Sequence, residues 1–65
     1  MNGTYKTKFK QWCIENRFRA ADIANELGCS VKTIYAYMQG YRLPSRKMMK
    51  EMERKFEINT KEIFD

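Results

Sequence analysis

The stretch that decides the fold is residues 18–45, FRAADIANELGCSVKTIYAYMQGYRLPS. Apolar residues recur there at helical spacing in two runs, which are separated by Gly28 and Ser30. Glycine accepts the left-handed backbone that ends many helices, and a serine hydroxyl accepts an amide hydrogen bond at a helix start. The stretch therefore predicts a helix over 20–27, a short turn, and a second helix over 31–39.

Three residues indicate how these two helices pack. Ala24 is small where two helices approach closely, Gly28 lies at the turn four residues later, and Ile34 anchors the second helix six residues beyond. A small residue, a turn glycine and an aliphatic anchor at this spacing are typical of a helix-turn-helix, in which two helices meet at a steep angle. The exposed face of the second helix is then free to enter the major groove of DNA.

Outside this stretch, apolar residues also recur at helical spacing. They predict a first helix over 5–16, a fourth helix capped by Ser45, and a terminal turn in which Asn59 and Glu62 form a capping box. The apolar residues of these elements are Tyr5, Phe9, Trp12, Cys13, Met48, Met49, Met52 and Phe56, with Ile63 and Phe64 at the end. The predicted fold class is all-α, a single domain over 1–65 with five short helices.

The charge of the chain favours a polyanionic partner, because its net charge is +5 and its pI about 9.4. Most of the basic residues lie in two blocks, 1–19 and 41–56, on either side of a nearly neutral middle. The same pattern would suit a solvated basic surface that only aids solubility. No apolar run approaches the roughly 20 residues of a membrane span, and the N-terminus lacks the apolar stretch of a secretory signal, so a cytoplasmic location is expected.

Catalysis and metal binding are not expected from this sequence. It has no histidine, no nucleophile beside a base and no glycine-rich phosphate loop, so no reaction, cofactor or small-molecule ligand is predicted. Two cysteines, Cys13 and Cys29, are too few for a zinc site. Both are expected to be reduced and mostly buried, one in the first helix and one in the turn.

Two segments resemble a known family. Residues 23–35, IANELGCSVKTIY, match the pattern L-A-x-x-L-G-V-S-x-x-T-I-S, and residues 39–45, QGYRLPS, match x-G-x-R-x-P-S. Both patterns are those of the Cro and phage-repressor type of helix-turn-helix, also called lambda-repressor-like or Xre-type. The resemblance implies a compact five-helix DNA-binding domain with its helix-turn-helix over about 20–39. The later apolar residues Met52, Phe56, Ile58, Ile63 and Phe64 extend it over nearly the whole chain.

The chain departs from the family at two places. A Thr or Ser usually caps the second helix and a Gln follows it, but Arg19 and Ala20 stand here, and Ala20 offers only its backbone amide to a phosphate. Many members also pair an Arg in the first helix with a Glu near the end of the third. Cys13 and Met38 stand at those positions, and replacing both ions together avoids an unpaired buried charge.

The resemblance implies a DNA-contacting surface. Lys32 is expected to donate to guanine and Thr33 to a base or phosphate, with apolar groups against thymine methyls. Tyr35 has a second interpretation, which is packing against the fourth helix, while Tyr37 and Met38 are expected in the core. The implied base contacts are Val31, Lys32, Thr33, Tyr35 and Ala36, and the implied phosphate contacts are Lys6, Arg19, Ala20, Gln39, Arg42 and Arg46.

The function that follows is sequence-specific binding of double-stranded DNA by a Cro-like transcriptional repressor of phage or mobile-element type. Its operator is expected to be palindromic and the protein a homodimer on DNA, with Ile63 and Phe64 either closing the core or, as we favour, forming a dimer contact. An architectural or recombination-directing DNA-binding protein is one alternative. A protein-binding module, such as an antitoxin or antirepressor, is another.

Overall fold

A computed structural model describes residues 7–64, which form five helices and no strand, so the all-α prediction is confirmed for this part of the chain. None of the described helices has both the length and the apolar composition that a membrane crossing requires. The helices are α1 (Lys8–Glu15), α2 (Ala20–Leu27), α3 (Val31–Gln39), α4 (Arg46–Phe56) and α5 (Thr60–Ile63).

Four of the helix starts, those of α1, α3, α4 and α5, follow from side chains that accept the first free amides. Ser30 accepts the amide of Thr33 at the start of α3, and Ser45 accepts that of Met48 at the start of α4, as predicted. Asn59 caps α5 through the amide of Lys61. The capping box predicted for Asn59 and Glu62 is therefore wrong, because the Asn59 side chain already bonds the nearer amide.

α1 begins three residues later than predicted. Thr7 takes an extended backbone, with φ −138°, and its hydroxyl accepts the amide of Lys10. A capping threonine of this kind fixes the helix start at Lys8. Tyr5 and Lys6, which the sequence placed in this helix and on its surface, lie outside the described residues.

Four helices are followed by a residue with a left-handed backbone. Gly28 has φ +71° after α2 and Gly40 has φ +82° after α3, at the two glycines where the sequence predicts helix ends. Arg17 (φ +60°) and Glu57 (φ +55°) play the same part after α1 and α4. At Arg17 the amide of Phe18 also bonds the carbonyl oxygen of Cys13, at 2.8 Å, which completes a Schellman motif around a residue other than glycine.

A core of apolar side chains joins α1 through α5. Phe9, Ile23, Ile34 and Met52 are fully buried, one each from the first four helices. The Phe9 ring contacts the ring of Phe64, with 5.0 Å between centroids, which brings the end of the chain against α1. A second aromatic group packs beside it: Trp12, Phe18 and Phe56, with centroids 5.2–5.9 Å apart. This burial holds helices that are too short to be stable alone.

α2 and α3 are joined by a turn of three residues, 28–30, and pack against each other. Ala24 and Ile34, the two residues predicted to lie between these helices, are 2% and 0% exposed. The amide of Cys29 bonds the carbonyl oxygen of Ala24 at 3.0 Å and so fixes the path of the chain out of α2. The outward face of α3 is left uncovered by this packing.

Candidate nucleic-acid interface

α3 divides into a buried and an exposed face. Ile34, Tyr37 and Met38 point into the core, which confirms that the last two are core residues. On the other side Val31 is 37% exposed and Tyr35 54% exposed. Tyr35 therefore does not pack into the interior against α4, which was the second interpretation of its role.

The exposed face of α3 carries one cation among neutral groups. Lys32 is exposed between Val31 and Tyr35, and Thr33, Ala36 and Gln39 are partly exposed. The Thr33 hydroxyl lies 2.9 Å from that of the capping Ser30, so its direction is set by the start of the helix. A surface of this composition presents a charged donor, hydroxyl and amide groups and apolar groups, and no carboxylate to repel a polyanion.

Exposed arginines lie near both ends of the α2–α3 unit. Arg19 precedes α2, Arg42 lies in the loop after α3, and Arg46 opens α4. Burial raises the pKa of the Tyr37 phenol, and the positive charge of Arg42 opposes part of that rise. These are three of the residues predicted to contact phosphates.

At the start of α2 the structure adds a residue that the sequence interpretation missed. The Asp22 carboxylate accepts the amide of Arg19 at 3.0 Å, and it lies in the first turn of α2. Ala20 is only 4% exposed, so its side chain contributes no contact surface. The negative charge of Asp22 would repel a phosphate at this helix start. Arg19 is therefore the residue there whose charge attracts a phosphate. The position of Asp22, three residues after Arg19 at the N-cap of α2, was the available signal.

The stretch from α3 into α4 is entirely free of acidic residues. Over residues 27–50 the chain has Lys32, Arg42, Arg46, Lys47 and Lys50 and no Asp or Glu. All five side chains are exposed. Because this stretch itself carries no acid, its positive charges attract polyanions over distances of about a Debye length, roughly 8 Å at physiological salt. Glu53, from the next turn of α4, lines the same groove as Arg46 and Lys50.

The loop over 41–44 holds two more residues that the sequence interpretation missed. Tyr41 is 77% exposed and Leu43 66% exposed, which makes them the most exposed large apolar side chains among residues 7–64. Both flank Arg42, while Pro44 beyond them is buried. The sequence signal for an exposed apolar loop was the position of these two residues between Gly40 and Pro44.

The C-terminal apolar residues pack at least partly inward. Ile63 and Phe64 are half-buried against the core, and Phe64 contacts the rings of Phe9 and Tyr37. This packing accounts for part of the apolar surface that suggested a dimer contact. Self-association through Ile63 and Phe64 stays a prediction, and Lys6, a predicted phosphate contact, lies outside the described residues.

The two cysteines occupy the predicted elements, α1 and the turn. Cys13 is fully buried, and this burial raises the pKa of its thiol to about 12. Cys29 is only partly buried, less than predicted, and burial raises its pKa as well, against a backbone hydrogen bond that lowers it. Within residues 7–64 no three His, Cys, Asp or Glu side chains lie close enough together to hold a metal ion.

These features define a small helical unit in which α3, the following loop and the start of α4 carry cations and no acidic residue. Residues 16–58, about two thirds of the chain, match the family described as the putative ATPase subunit of terminase, gpP-like. The chain belongs to this family. Comparisons with curated proteins and with solved structures gave no match.

Proposed function

We propose that this chain binds double-stranded DNA as the DNA-recognition unit of a phage terminase, with α2 and α3 as a helix-turn-helix and α3 in the major groove. The observation that carries the proposal is the outward face of α3, where Lys32 lies among neutral side chains. An α-helix fits the major groove, and a lysine there donates to guanine O6 or N7. Val31, Tyr35 and Ala36 supply apolar contacts to thymine methyls.

The surrounding charges support the same orientation. Arg42 lies three residues after the end of α3 and Arg46 opens α4, so both are candidates for phosphate contacts beside the groove that α3 occupies. Arg19 takes the equivalent role at the start of α2. Phosphate contacts of this kind fix the register of a protein on the duplex without reading its sequence.

The family supplies the biological setting of the proposal. Its description names a terminase, which fits a role in handling phage DNA. The same description names an ATPase, but the glycines of this chain stand at positions 3, 28 and 40, and none has the G-x-x-x-x-G-K-[ST] spacing of a phosphate-binding loop. We assign no step of nucleotide hydrolysis to these residues.

A second candidate is a Cro-like transcriptional regulator. It is favoured by the resemblance of residues 23–35 and 39–45 to the Cro and phage-repressor patterns, since Gly28, Ser30, Gly40 and Ser45 occupy the turn and cap positions of those patterns. Such a protein binds as a homodimer to a palindromic operator with half-sites one helical turn apart. Within residues 7–64 no contact of α2 or α3 favours an architectural DNA-binding protein over these two candidates, and none favours a protein-binding module.

The experiment that tests the proposal selects bound duplexes from random DNA and then measures affinity for the best one over a range of salt. We expect a common sequence to emerge, and log affinity to fall linearly with log salt by about 0.9 for each phosphate contacted. A site without two-fold symmetry favours recognition of a phage DNA site by a monomer, whereas a palindrome favours the regulator. No duplex binding at low salt would contradict both and favour the protein-binding module.

Two matched variants locate the phosphate contacts. Arg42→Gln is expected to weaken binding to all duplexes alike. It should also reduce the slope of log affinity against log salt by about 0.9, the value for one phosphate contact. Arg54→Gln is the control, because Arg54 pairs with Glu51 at 2.6 Å on α4. If both variants leave the salt dependence of binding unchanged, Arg42 does not contact the DNA backbone.

A further inference from the structure

The loop over 41–43 is unusual because its apolar side chains face solvent while its backbone is held. The amide of Tyr41 bonds the carbonyl oxygen of Ala36 at 2.9 Å, in the left-handed end of α3 at Gly40. At the other end Pro44 is buried and Ser45 caps α4. The loop is therefore short and held at both ends. The position of its backbone keeps the Tyr41 side chain exposed.

We infer that this loop is a second DNA-contacting element, in which Tyr41 and Leu43 press against base edges or sugars beyond the groove that α3 occupies and thereby bend the duplex. The inference rests on the proposed function. Apolar side chains that insert between base steps partly unstack them and kink DNA. A fixed loop suits this role, since a wedge that yields on contact would not deform its target.

The charges around the loop indicate which partner its apolar side chains contact. Arg42 lies between Tyr41 and Leu43, and Arg46 and Lys47 follow at the start of α4, with no acidic residue from 27 to 50. A phosphate backbone complements this arrangement. Leu43 also borders a groove of about 260 Å³ beside Tyr37 and Phe64, where a second copy of the chain is the competing occupant. A second copy seated there would bring another chain of net charge +5 towards Lys8, which lines the groove, and like charges repel.

The test compares wild type with Tyr41→Ala, Leu43→Ala and the double variant on a selected duplex that carries a fluorescent dye at each end. Wild type is expected to shorten the distance between the dyes, as a bent duplex requires. The double variant is expected to lose that change and roughly tenfold in affinity, the scale of one aromatic stacking contact. Its salt dependence should stay that of wild type, because no charge is removed.

Ile14→Ala is the matched control, since Ile14 is 47% exposed on α1. Unfolding curves of all variants establish that truncating an exposed side chain leaves the fold intact. Equal dye distances and affinities for wild type and the double variant would overturn the inference while leaving the proposed function standing. A change of oligomeric state in Leu43→Ala with bending retained would overturn it in favour of a second copy. Failure of wild type to bind any duplex would overturn both.

Discussion

The hydroxyl of Thr7 donates a hydrogen bond of 2.8 Å to the carbonyl oxygen of Met38, 31 residues away. The same hydroxyl oxygen accepts the amide of Lys10 and so caps α1. One side chain therefore starts the first helix and ties it to the last turn of α3. This bond adds to the burial of Ile34, Tyr37 and Met38, which holds α3 on the rest of the domain.

Thr7→Ala is expected to lower the free energy of unfolding by about 1–2 kcal/mol, because it removes a helix cap and leaves a carbonyl of α3 without its partner. Thr7→Ser keeps the hydroxyl and is expected to lose much less. Urea denaturation of the two variants checks this. Equal losses would show that the methyl group, which lies close to Gly40, matters more than the hydroxyl.

Arg17→Gly is expected to raise the free energy of unfolding by about 0.5–1 kcal/mol. The left-handed backbone at Arg17, with φ +60°, carries a steric cost that glycine avoids. Glycine loses more chain entropy on folding, which offsets part of this gain. Arg17→Ala removes the same charge but keeps the cost, so it is the control. If thermal denaturation finds the glycine variant no more stable than the alanine variant, the end of α1 is not strained.

Cys13 is expected to make the protein sensitive to alkali. Its folded pKa of about 12 lies above the ordinary thiol value of 9.0, so above pH 9 the unfolded chain loses a proton that the folded chain keeps. The stability contributed by this group is complete below about pH 9 and is lost as the pH rises towards 12. Urea denaturation between pH 8 and 10.5 checks the fall.

Two comparisons assign that fall to Cys13. Cys13→Ala is expected to be less stable at neutral pH, because it empties buried volume, yet to lose less stability on going to pH 10.5. Cys29→Ala, at a partly exposed thiol whose pKa is also raised by burial, should follow wild type more closely than Cys13→Ala does. In native protein an alkylating reagent should modify Cys29 well before Cys13. Rapid labelling of native Cys13 would contradict its burial.

Lys32→Ala is expected to cost about 1–3 kcal/mol of binding free energy on the selected duplex and to relax the preference at one base pair. Lys55→Ala, at an exposed lysine in the last turn of α4, is the control and should cost little. Fluorescence anisotropy on the selected duplex and on single-base variants of it measures both. A loss that is equal on selected and random DNA would make Lys32 a phosphate contact.

Local signals in the sequence predicted much of the fold. Gly28 and Gly40 end helices and Ser30 and Ser45 begin them through contacts within a few residues, which a sequence displays directly. The left-handed backbone at Arg17 had no such signal, because the residue type favours continuing the helix. The bond between Thr7 and Met38 joins distant segments, so only the packed chain reveals it.

The candidate site was predictable on α3 and less so around it. Helical periodicity separates the buried Ile34 and Tyr37 from the exposed Val31 and Tyr35, so the outward face followed from spacing alone. In the loop after α3 no periodicity applies, and the exposure of Tyr41 comes from how Gly40 and Pro44 hold the chain. For Ile63 and Phe64 the sequence left two roles open, closing the core or forming a dimer contact, and only part of their surface meets the core.

The central claim, that α3 and its neighbouring loops form the DNA-binding face, is tested most directly by titrating the isotope-labelled chain with the selected duplex and following each backbone amide by NMR. We expect shifts to concentrate on residues 31–33, 35–36, 39–43 and 45–46 and at Arg19, to reverse on adding salt, and to leave α5 and the outer face of α1 at Ile14 unchanged. Shifts confined to α1 and α5, with residues 31–46 unaffected, would contradict it.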